Sequence, residues 1–253
     1  METSALSSRL AAKRKFWNGF GLREAPRFDG KAVLDIGCGE GERCFEAASQ
    51  GAYSVVGLDP SPQKLAGADV VLAGAATAVK NKIRFVQGEV TSLGREQFDI
   101  IISEDTFEHV LDVPKILSEI RGLLKPGGRF YLGFGPLYHA PSGDHGWLRQ
   151  VLPGRKYFPW PWGHLLLEKF AFRRLSARHG QHLTQTYNWP YLDLNRHTAE
   201  QFDEMFFNSG LKIIYYKRNY VRSIKGHLFA TIGRLPMVSQ YFALNIFVIF
   251  ELP

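Results

Sequence analysis

Short apolar runs alternate with amphipathic stretches over the first half of the chain. The runs predict five buried strands, over residues 31–36, 54–59, 83–87, 98–103 and 129–134. Apolar residues at helical spacing predict helices over residues 40–49 and 113–124, and Ser61 with Pro62 opens a third helix between them. Strands and helices that alternate in this way are typical of a doubly wound parallel sheet.

The alternation stops after the fifth run. Residues 136–196 are rich in Trp, Pro, His and Arg, and they predict a cap rather than another strand and helix. A helix over residues 198–208 and strands over residues 211–216 and 245–251 then complete the pattern. We therefore expect an α/β fold with a doubly wound, mostly parallel seven-stranded sheet and a cap insertion after strand five.

The sequence predicts no second domain. The single domain over residues 1–253 is expected to begin with a helix and loop over residues 1–28. Residues 29–135 form its ligand-binding half, residues 136–196 the cap, and residues 197–253 the last helix and strands.

Charge is unevenly distributed along the chain. The formal net charge is +7, and residues 131–253 hold 14 basic and 7 acidic side chains. An excess of one sign steers association with partners of the opposite sign. The second half could therefore face an anionic acceptor, a nucleic acid or a membrane surface, and charge that only aids solubility is the other explanation.

Nothing in the sequence predicts export or a membrane span. Residues 4–17 predict a leading helix with basic residues and no apolar core, unlike a secretory signal. The most apolar stretch, residues 241–250, is shorter than the about 18 residues that cross a bilayer. Cys38 and Cys44 are expected to be reduced thiols. These features predict a cytoplasmic protein whose contact with a membrane, if any, is peripheral.

A glycine-rich motif carries the strongest chemical signal. The first apolar run ends near Asp35, and Gly37, Gly39 and Gly41 follow at every second position. Glycine permits unusual backbone dihedrals and lets a ligand approach closely, and the helix that follows directs free N–H groups toward that ligand. Ligands of such sheets bind at the carboxyl ends of the strands. The motif therefore predicts a nucleotide or nucleoside site.

Four segments in order resemble class I S-adenosylmethionine-dependent methyltransferases. They are residues 35–41, strand two with its terminal Asp59, strand four with Glu108 and His109 behind it, and residues 124–129 before strand five. A dinucleotide fingerprint would leave two residues between its second and third glycines, where this chain has only Glu40. The resemblance covers residues 30–135 closely and residues 197–253 in outline. It implies a Rossmann-like methyltransferase with S-adenosyl-L-methionine as cofactor.

The resemblance also implies which residues contact the cofactor. The glycines would wrap its methionine half, Asp35 would reach its amino group, and Asp59 would accept hydrogen bonds from both ribose hydroxyls. Glu89 would bind the adenine amine beside Val90, although the family more often has Asp at that position. Asp59 could instead be a capping or surface acid, and Glu89 a plain loop residue. The predicted set is Asp35, Gly37, Cys38, Gly39, Gly41, Asp59, Pro60, Glu89, Val90, Ser103 and Glu104.

The candidate bases are histidines. In this family, enzymes that methylate amines of nucleic-acid bases usually carry an Asn/Asp-Pro-Pro-aromatic tetrad after strand four, where residues 103–106 read Ser-Glu-Asp-Thr. A base that frees the acceptor's lone pair assists methyl transfer. His145 is the leading candidate, followed by His109 and His164, with His139 also in the loop after strand five. A packing role is the alternative for each, and no metal site is predicted.

These features predict a transferase that methylates a hydroxyl of a small, lipid-like or sugar-containing metabolite. Residues 136–196 hold four of the five tryptophans beside several basic residues, which suits an anionic or amphipathic acceptor under a cap. An RNA or protein methyltransferase is one alternative, although nucleic acid is not the favoured partner. A non-catalytic scaffold that binds the cofactor is the other.

Overall fold

The computed structural model describes residues 14–21, 26–145, 161–166, 194–221 and 238–253. These residues form strands β1 (Ala32–Ile36), β2 (Ser54–Asp59), β3 (Ile83–Gln87), β4 (Phe98–Glu104), β5 (Leu124–Phe134), β6 (Lys212–Tyr220) and β7 (Ala243–Glu251). All seven belong to one sheet in the order β3-β2-β1-β4-β5-β7-β6. Strands β1 to β5 are parallel, and β7 lies antiparallel between β5 and β6. The predicted α/β, mostly parallel seven-stranded sheet is confirmed.

Helices cover both faces of this sheet. They are α1 (Arg14–Gly19), α2 (Glu42–Ser49), α3 (Pro62–Ala73), α4 (Thr77–Lys80), α5 (Val113–Leu123) and α6 (Ala199–Phe207). Helices α1, α2 and α3 contribute buried side chains to a core cluster on one face. Helices α5 and α6 contribute to a second cluster on the opposite face. The central strands are buried on both sides, which explains why they read as continuous apolar runs.

Two helix starts follow from local capping. Ser61 Oγ accepts a hydrogen bond from Lys64 N at 3.4 Å, and Pro62 occupies the first turn of α3, as the sequence predicts. Thr198 and Gln201 form a capping box at α6, in which each side chain accepts from the other's backbone N–H. The helix predicted over residues 198–208 therefore begins one residue later, with Thr198 as its cap.

Strand five begins five residues before the predicted run over residues 129–134. β5 begins at Leu124, directly after α5, and Leu124 already pairs with Phe98 of β4 before a register shift. Gly127 has a φ of 72°, and its N–H donates to Leu252 O at 2.9 Å. The glycines therefore allow an irregularity inside a continuous strand. The backbone N–H of Gly127 is hydrogen-bonded to the segment that follows β7.

Other predicted boundaries move by a few residues. Helix α2 begins at Glu42 rather than at residue 40, because Gly41 is its cap with a left-handed φ of 82°. β6 continues to Tyr220 and β7 begins at Ala243, because each pairs along the other beyond the predicted runs. The described part of the leading helix ends at Gly19.

Much of the predicted cap over residues 136–196 lies outside the described residues. Three of its tryptophans, Trp147, Trp160 and Trp189, lie there as well. Trp162 is described, and its Nε1 donates to Tyr241 O at 2.7 Å, which ties this part of the insertion to the turn before β7. No helix in the described residues is sufficiently long and apolar to cross a membrane.

Candidate functional site

The glycine loop, residues 37–41, lies where the carboxyl ends of β1 and β2 meet. Gly37 and Cys38 donate their N–H groups to Leu58 O at 2.8 and 3.0 Å. Gly37, Gly39 and Gly41 have φ values of 74°, 56° and 82°. These left-handed conformations favour glycine, so the alternate glycines are explained by the backbone path that the loop takes around this edge.

The three glycines meet different surroundings. A Cβ at Gly37 would overlap Thr106 Oγ1, and a Cβ at Gly41 would lie 2.7 Å from the Phe85 ring. A Cβ at Gly39 would meet nothing within 4 Å. Gly37 and Gly41 therefore permit close packing of the protein on itself, whereas Gly39 borders open space that a ligand can enter.

Asp59 stands at the end of β2 and is only 2% exposed. Its Oδ2 accepts a hydrogen bond from Gly39 N at 2.9 Å, and its Oδ1 accepts from Ser61 N at 2.9 Å. Lys64 Nζ lies 4.0 Å from Oδ2. The carboxylate thus joins the glycine loop to the start of α3, next to Gly39.

The end of β3 approaches Asp59 from the side. Gly88 N donates to Asp59 O at 3.3 Å, which places Glu89 and Val90 next to the same edge. The Glu89 side chain is exposed and Val90 is buried, while Pro60 is exposed on the other side of Asp59. The exposed acid Glu89, followed directly by the buried apolar Val90, suits a ligand that has both polar and aromatic parts.

Asp35 lies beneath the loop and is 2% exposed. Cys44 Sγ, on α2, donates to Asp35 Oδ2 at 3.5 Å. Burial raises the pKa of the Cys44 thiol well above its usual range, and the nearby Cys38 and Asp35 add to this effect. Cys44 is therefore a neutral thiol at physiological pH, and its hydrogen bond holds the Asp35 side chain in place beneath the glycine loop.

The end of β4 supports the loop from behind. Ser103 is fully buried, and its hydroxyl donates to Ile36 O at 3.1 Å. Thr106 Oγ1 donates to Glu104 O at 3.0 Å and packs against Gly37. The Ser103 side chain thus braces β1 against β4, and Glu104 follows it at the rim of the site.

A buried arginine connects this rim to the N-terminal helix. Arg43, 3% exposed, donates through Nε to Glu104 Oε2 at 3.0 Å and through Nη1 to Glu46 Oε2 at 2.6 Å. Trp17 Nε1 donates to Glu46 Oε1 at 3.0 Å, and the guanidinium lies 4.7 Å from the Phe16 ring centre. The sequence pattern did not predict this network, although Arg43 and Glu46 stand three apart on one helix.

Three of the four candidate histidines are hydrogen-bonded to a backbone carbonyl of the cap, and for His145 the distance from Nε2 to Pro136 O is 3.1 Å. His164 is 1% exposed, and its Nε2 lies 2.7 Å from Tyr138 O. His139 Nε2 lies 3.1 Å from Arg196 O, and burial lowers the pKa of His139. These bonds suit positions that hold the described parts of the insertion together.

His109 and His145 lie next to each other. The ring centres of His109 and His145 are 5.7 Å apart, and both side chains are exposed. Glu108 lies beside them and is 2% exposed, and the backbone N–H groups of Glu108 and Gly135 act to lower the pKa of its carboxyl. Burial raises the pKa of Glu108 to about 8, and the charge of Asp105 adds to this. Glu108 stands in one of the segments that resemble the methyltransferase family, and no role was predicted for it.

The part of the chain that contains the glycine loop is similar to known methyltransferases. A family model for a methyltransferase domain matches residues 34–132. A ubiquinone biosynthesis O-methyltransferase from Bradyrhizobium diazoefficiens is 33% identical over 161 residues, which are 57% of this chain and 61% of that relative. A protein of the same name from Nitrobacter winogradskyi is also 33% identical, over 57% of this chain and 59% of its own length. The chain thus spans about six-tenths of the length of these relatives.

Solved structures are similar in fold. An S-adenosylmethionine-dependent methyltransferase from Mesorhizobium loti has a TM-score of 0.55 and 23% identity, and the match covers 90% of this chain and 93% of that one. At 23% identity this similarity shows a shared fold and nothing more specific. It covers 90% of this chain and so extends well beyond residues 34–132.

Proposed function

We propose that this chain, whose residues 34–132 match a family model for a methyltransferase domain, is a class I S-adenosylmethionine-dependent enzyme that transfers a methyl group to a hydroxyl oxygen of a small, lipid-like acceptor. The observation that carries the proposal is the open space at Gly39 beside the buried carboxylate of Asp59. The names of the curated relatives, which are O-methyltransferases of ubiquinone biosynthesis, support the reaction class and an apolar acceptor.

The nucleoside half of S-adenosyl-L-methionine fits the ends of β2 and β3. Asp59 would accept hydrogen bonds from the ribose hydroxyls, and each bond to a charged acceptor contributes about 1.5–3 kcal/mol. Glu89 would bind the exocyclic amine of adenine, with Val90 against the ring and Pro60 at its rim. The exposure of Glu89 and the burial of Val90 support this assignment.

The methionine half fits the glycine loop. The free N–H groups at the start of α2 would face the ligand's carboxylate, which the helix dipole favours. Gly39 leaves room for this group, and Asp35 and Glu104 offer the negative charge that an ammonium group needs. Gly37, Cys38, Gly41 and Ser103 would shape the loop from behind.

The chemistry divides between the cofactor and the chain. S-adenosyl-L-methionine supplies a methyl group on a positively charged sulfur, and the acceptor oxygen forms the new O–C bond as the C–S bond breaks and its electron pair stays on sulfur. The chain must orient the acceptor and remove its hydroxyl proton. We assign the removal of this proton to His145, with His109 beside it, because both imidazoles are exposed and lie beyond the carboxyl ends of β4 and β5. His164 would have to act from a buried position.

The cap and its charge support an amphipathic acceptor. Residues 136–196 carry most of the tryptophans, and the second half of the chain is basic. Tryptophan favours the interface between apolar and aqueous phases. We therefore place the acceptor between the glycine loop and the cap, in a cytoplasmic protein that contacts a membrane peripherally.

The test supplies cofactor labelled on its methyl group to the purified full chain. Lipid, small-molecule, RNA and protein fractions of a cell extract are incubated separately, and label is expected in the lipid or small-molecule fraction. Label in RNA or protein would contradict the acceptor class. No label in any fraction, with the cofactor still bound in calorimetry, would contradict the enzyme and support a scaffold.

A matched pair of variants tests the cofactor site. Asp59→Asn keeps the shape of the side chain but removes its charge, and Asp69→Ala removes an exposed carboxylate on α3. Calorimetry should show cofactor affinity at least tenfold weaker in Asp59→Asn, since about 1.4 kcal/mol is a factor of ten, and unchanged in Asp69→Ala. Equal affinities in the two variants would contradict the assignment of Asp59.

A further inference from the structure

One residue donates to three carbonyl oxygens of the turn after β4. That turn contains the short 3-10 helix Phe107–His109 between β4 and α5. The Asn195 side chain donates through Nδ2 to Phe107 O at 2.7 Å and to Val110 O at 2.8 Å. The backbone N–H of Asn195 donates to Glu108 O at 2.9 Å. Carbonyl groups at the end of a helical element lack partners within it, and Asn195 supplies donors to them here.

The amide oxygen of Asn195 fixes the orientation of the side chain. Its Oδ1 accepts a hydrogen bond from His197 N at 3.2 Å. If the amide were turned over, its oxygen would face two carbonyl oxygens and its amino group would face an N–H. The position therefore needs two donors and one acceptor on a short side chain. Asparagine meets this requirement, whereas an ionised aspartate has no donor and glutamine is one methylene longer.

The residue that follows Asn195 contacts the loop after β5. Arg196 O lies 3.1 Å from His139 Nε2, and the Arg196 guanidinium lies 4.9 Å from the centre of the Tyr138 ring. Arg196 has a left-handed φ of 54°, and a side-chain-bearing residue keeps such a conformation where the surrounding contacts determine it. Two consecutive residues therefore bond to two separate segments, the turn after β4 and the loop after β5.

These two segments carry the neighbouring histidines. His109 is the last residue of the 3-10 helix, and His145 belongs to the loop after β5. Their ring centres are 5.7 Å apart. His145 is held by its own loop, because its Nε2 lies 3.1 Å from Pro136 O. The separation of the two imidazoles therefore depends on how the turn lies against the loop, and Asn195 and Arg196 bond to both.

We propose that Asn195 is a positioning residue for the acceptor side of the site. Through the carbonyl groups of the turn it holds His109 next to His145, and through Arg196 it connects the pair to the end of the cap. Its effect on catalysis rests on the proposed function, in which His145 removes the acceptor's proton, since a general base must lie within hydrogen-bonding distance of that proton. Its effect on the two imidazoles does not depend on any reaction.

The first experiment measures the histidine pair without cofactor or acceptor. The full chain is labelled with ¹³C-histidine, and the variants His109→Ala and His145→Ala assign the ring signals in the NMR spectrum. A nuclear Overhauser effect between the two rings is expected in the wild type. Asn195→Asp, which replaces the donating amino group by an oxygen of similar size, should abolish it. An effect of wild-type strength in Asn195→Asp would overturn the proposal, as would its absence from the wild type.

A matched variant separates positioning from stability. Thr198→Ala removes the cap of α6 three residues after Asn195, and the Thr198 hydroxyl accepts from Gln201 N rather than contacting the turn. This variant should melt at a lower temperature and keep the Overhauser effect. Asn195→Ala removes the same side-chain bonds without adding a charge, and it replaces Asn195→Asp if that variant does not fold by circular dichroism. Loss of the effect in Thr198→Ala as well would overturn the specific role of Asn195.

Turnover shows whether this geometry matters for the reaction. With cofactor labelled on its methyl group and the extract fraction that accepts label, Asn195→Ala should lower the maximal rate at least tenfold, since a misplacement of about 1 Å can cost about 100-fold. Cofactor affinity in calorimetry should stay the same, because the side chain bonds to the turn after β4 and to His197.

The positioning role and the methyl transfer fail separately. A wild-type maximal rate in Asn195→Ala, with the Overhauser effect lost, would overturn the role of Asn195 in the reaction and leave the proposed methyl transfer in place. If the wild type transfers label to no fraction, the proposed function is contradicted, and the Overhauser effect still decides whether Asn195 positions the two histidines.

Discussion

Gly37 and Gly39 lie two residues apart and predict opposite outcomes for the same substitution. A Cβ at Gly37 would overlap Thr106, whereas a Cβ at Gly39 would enter open space. Both have positive φ, which costs an alanine about 1–2 kcal/mol. Gly39→Ala should therefore fold with a small loss of stability but lose cofactor affinity, and Gly37→Ala should lose considerably more stability.

Thermal unfolding and calorimetry on both variants check this prediction. Gly122→Ala, at a position on α5 where an added Cβ would meet nothing within 4 Å, is the control for the substitution itself. Cofactor binding by Gly39→Ala at the wild-type level would show that the open space is not the ligand's.

The His145 side chain carries a second prediction at this scale. Removal of a general base lowers turnover by about 10²–10⁴-fold. His145→Ala should therefore lower turnover at least 100-fold while cofactor affinity stays the same. Steady-state kinetics with His197→Ala as control measures it, and a loss below about tenfold would remove His145 from the reaction.

The prediction of site residues from sequence was uneven for a physical reason. The glycine loop and Asp59 follow from backbone requirements at the ends of consecutive strands, which a short motif records. The contact of Glu108 and His109 with His145 depends on a loop after β5 that folds back onto the turn after β4. No local sequence pattern specifies that contact. Arg43 likewise reads as an ordinary surface residue until its partners Glu104 and Trp17 are in place.

At the level of elements, the buried Arg43 joins α1, α2 and β4. Breaking a buried ion pair from one side leaves charge without compensation, which costs about 3–5 kcal/mol. Glu46 and Glu104 keep 15% and 19% exposure, so Arg43→Ala should destabilise the fold toward the lower end of that range. Urea unfolding measures it against Arg121→Ala, which removes an exposed arginine of α5. Equal stabilities would show that the network contributes nothing to holding α1.

Asp99 connects the amino ends of β1, β4 and β5, at the edge of the sheet away from the glycine loop. Its Oδ2 accepts hydrogen bonds from Ala32 N at 2.9 Å and Lys125 Nζ at 2.7 Å. Partial burial works to raise the pKa of Asp99, but these bonds and the charges of Lys125 and Lys31 outweigh it, and the pKa is lowered. A lowered pKa in the folded state means that the ionised form stabilises the fold above the unfolded pKa of about 3.9.

Asp99→Asn should therefore lower the free energy of unfolding by about 1 kcal/mol at pH 7. The difference should shrink as the pH falls toward about 3, because the wild-type carboxyl then loses its charge. Urea unfolding at several pH values measures it, and a difference that stays constant between pH 7 and pH 3 would contradict the ionic origin.

The central strands β1, β2 and β4 could be predicted because burial on both faces makes each of them a nearly continuous apolar run. Helix starts at Ser61 and Thr198 were equally local. The start of β5 around Gly127 could not be predicted locally. Glycines usually end an element, but Gly127 is held within β5 by its hydrogen bond to the backbone of Leu252. Sequence patterns therefore predicted each element better than the contacts between elements.

At the scale of the whole molecule, the charge asymmetry leads to a prediction about surfaces. Residues 131–253 carry twice as many basic as acidic side chains. The protein should sediment with anionic vesicles and not with neutral ones. Binding should weaken as salt rises, because the screening length falls from about 10 Å at 0.1 M to about 3 Å at 1 M. Equal sedimentation with neutral vesicles would instead point to apolar contact.

The antiparallel strand β7 has a consequence for the order of assembly during synthesis. β6 leaves the ribosome before β7, yet among the described strands it pairs with β7 alone. The free edge of β5 and the whole of β6 must therefore wait until β7 inserts between them. Until then the nascent chain exposes two unpaired strand edges, which are natural points for a chaperone or another chain to bind.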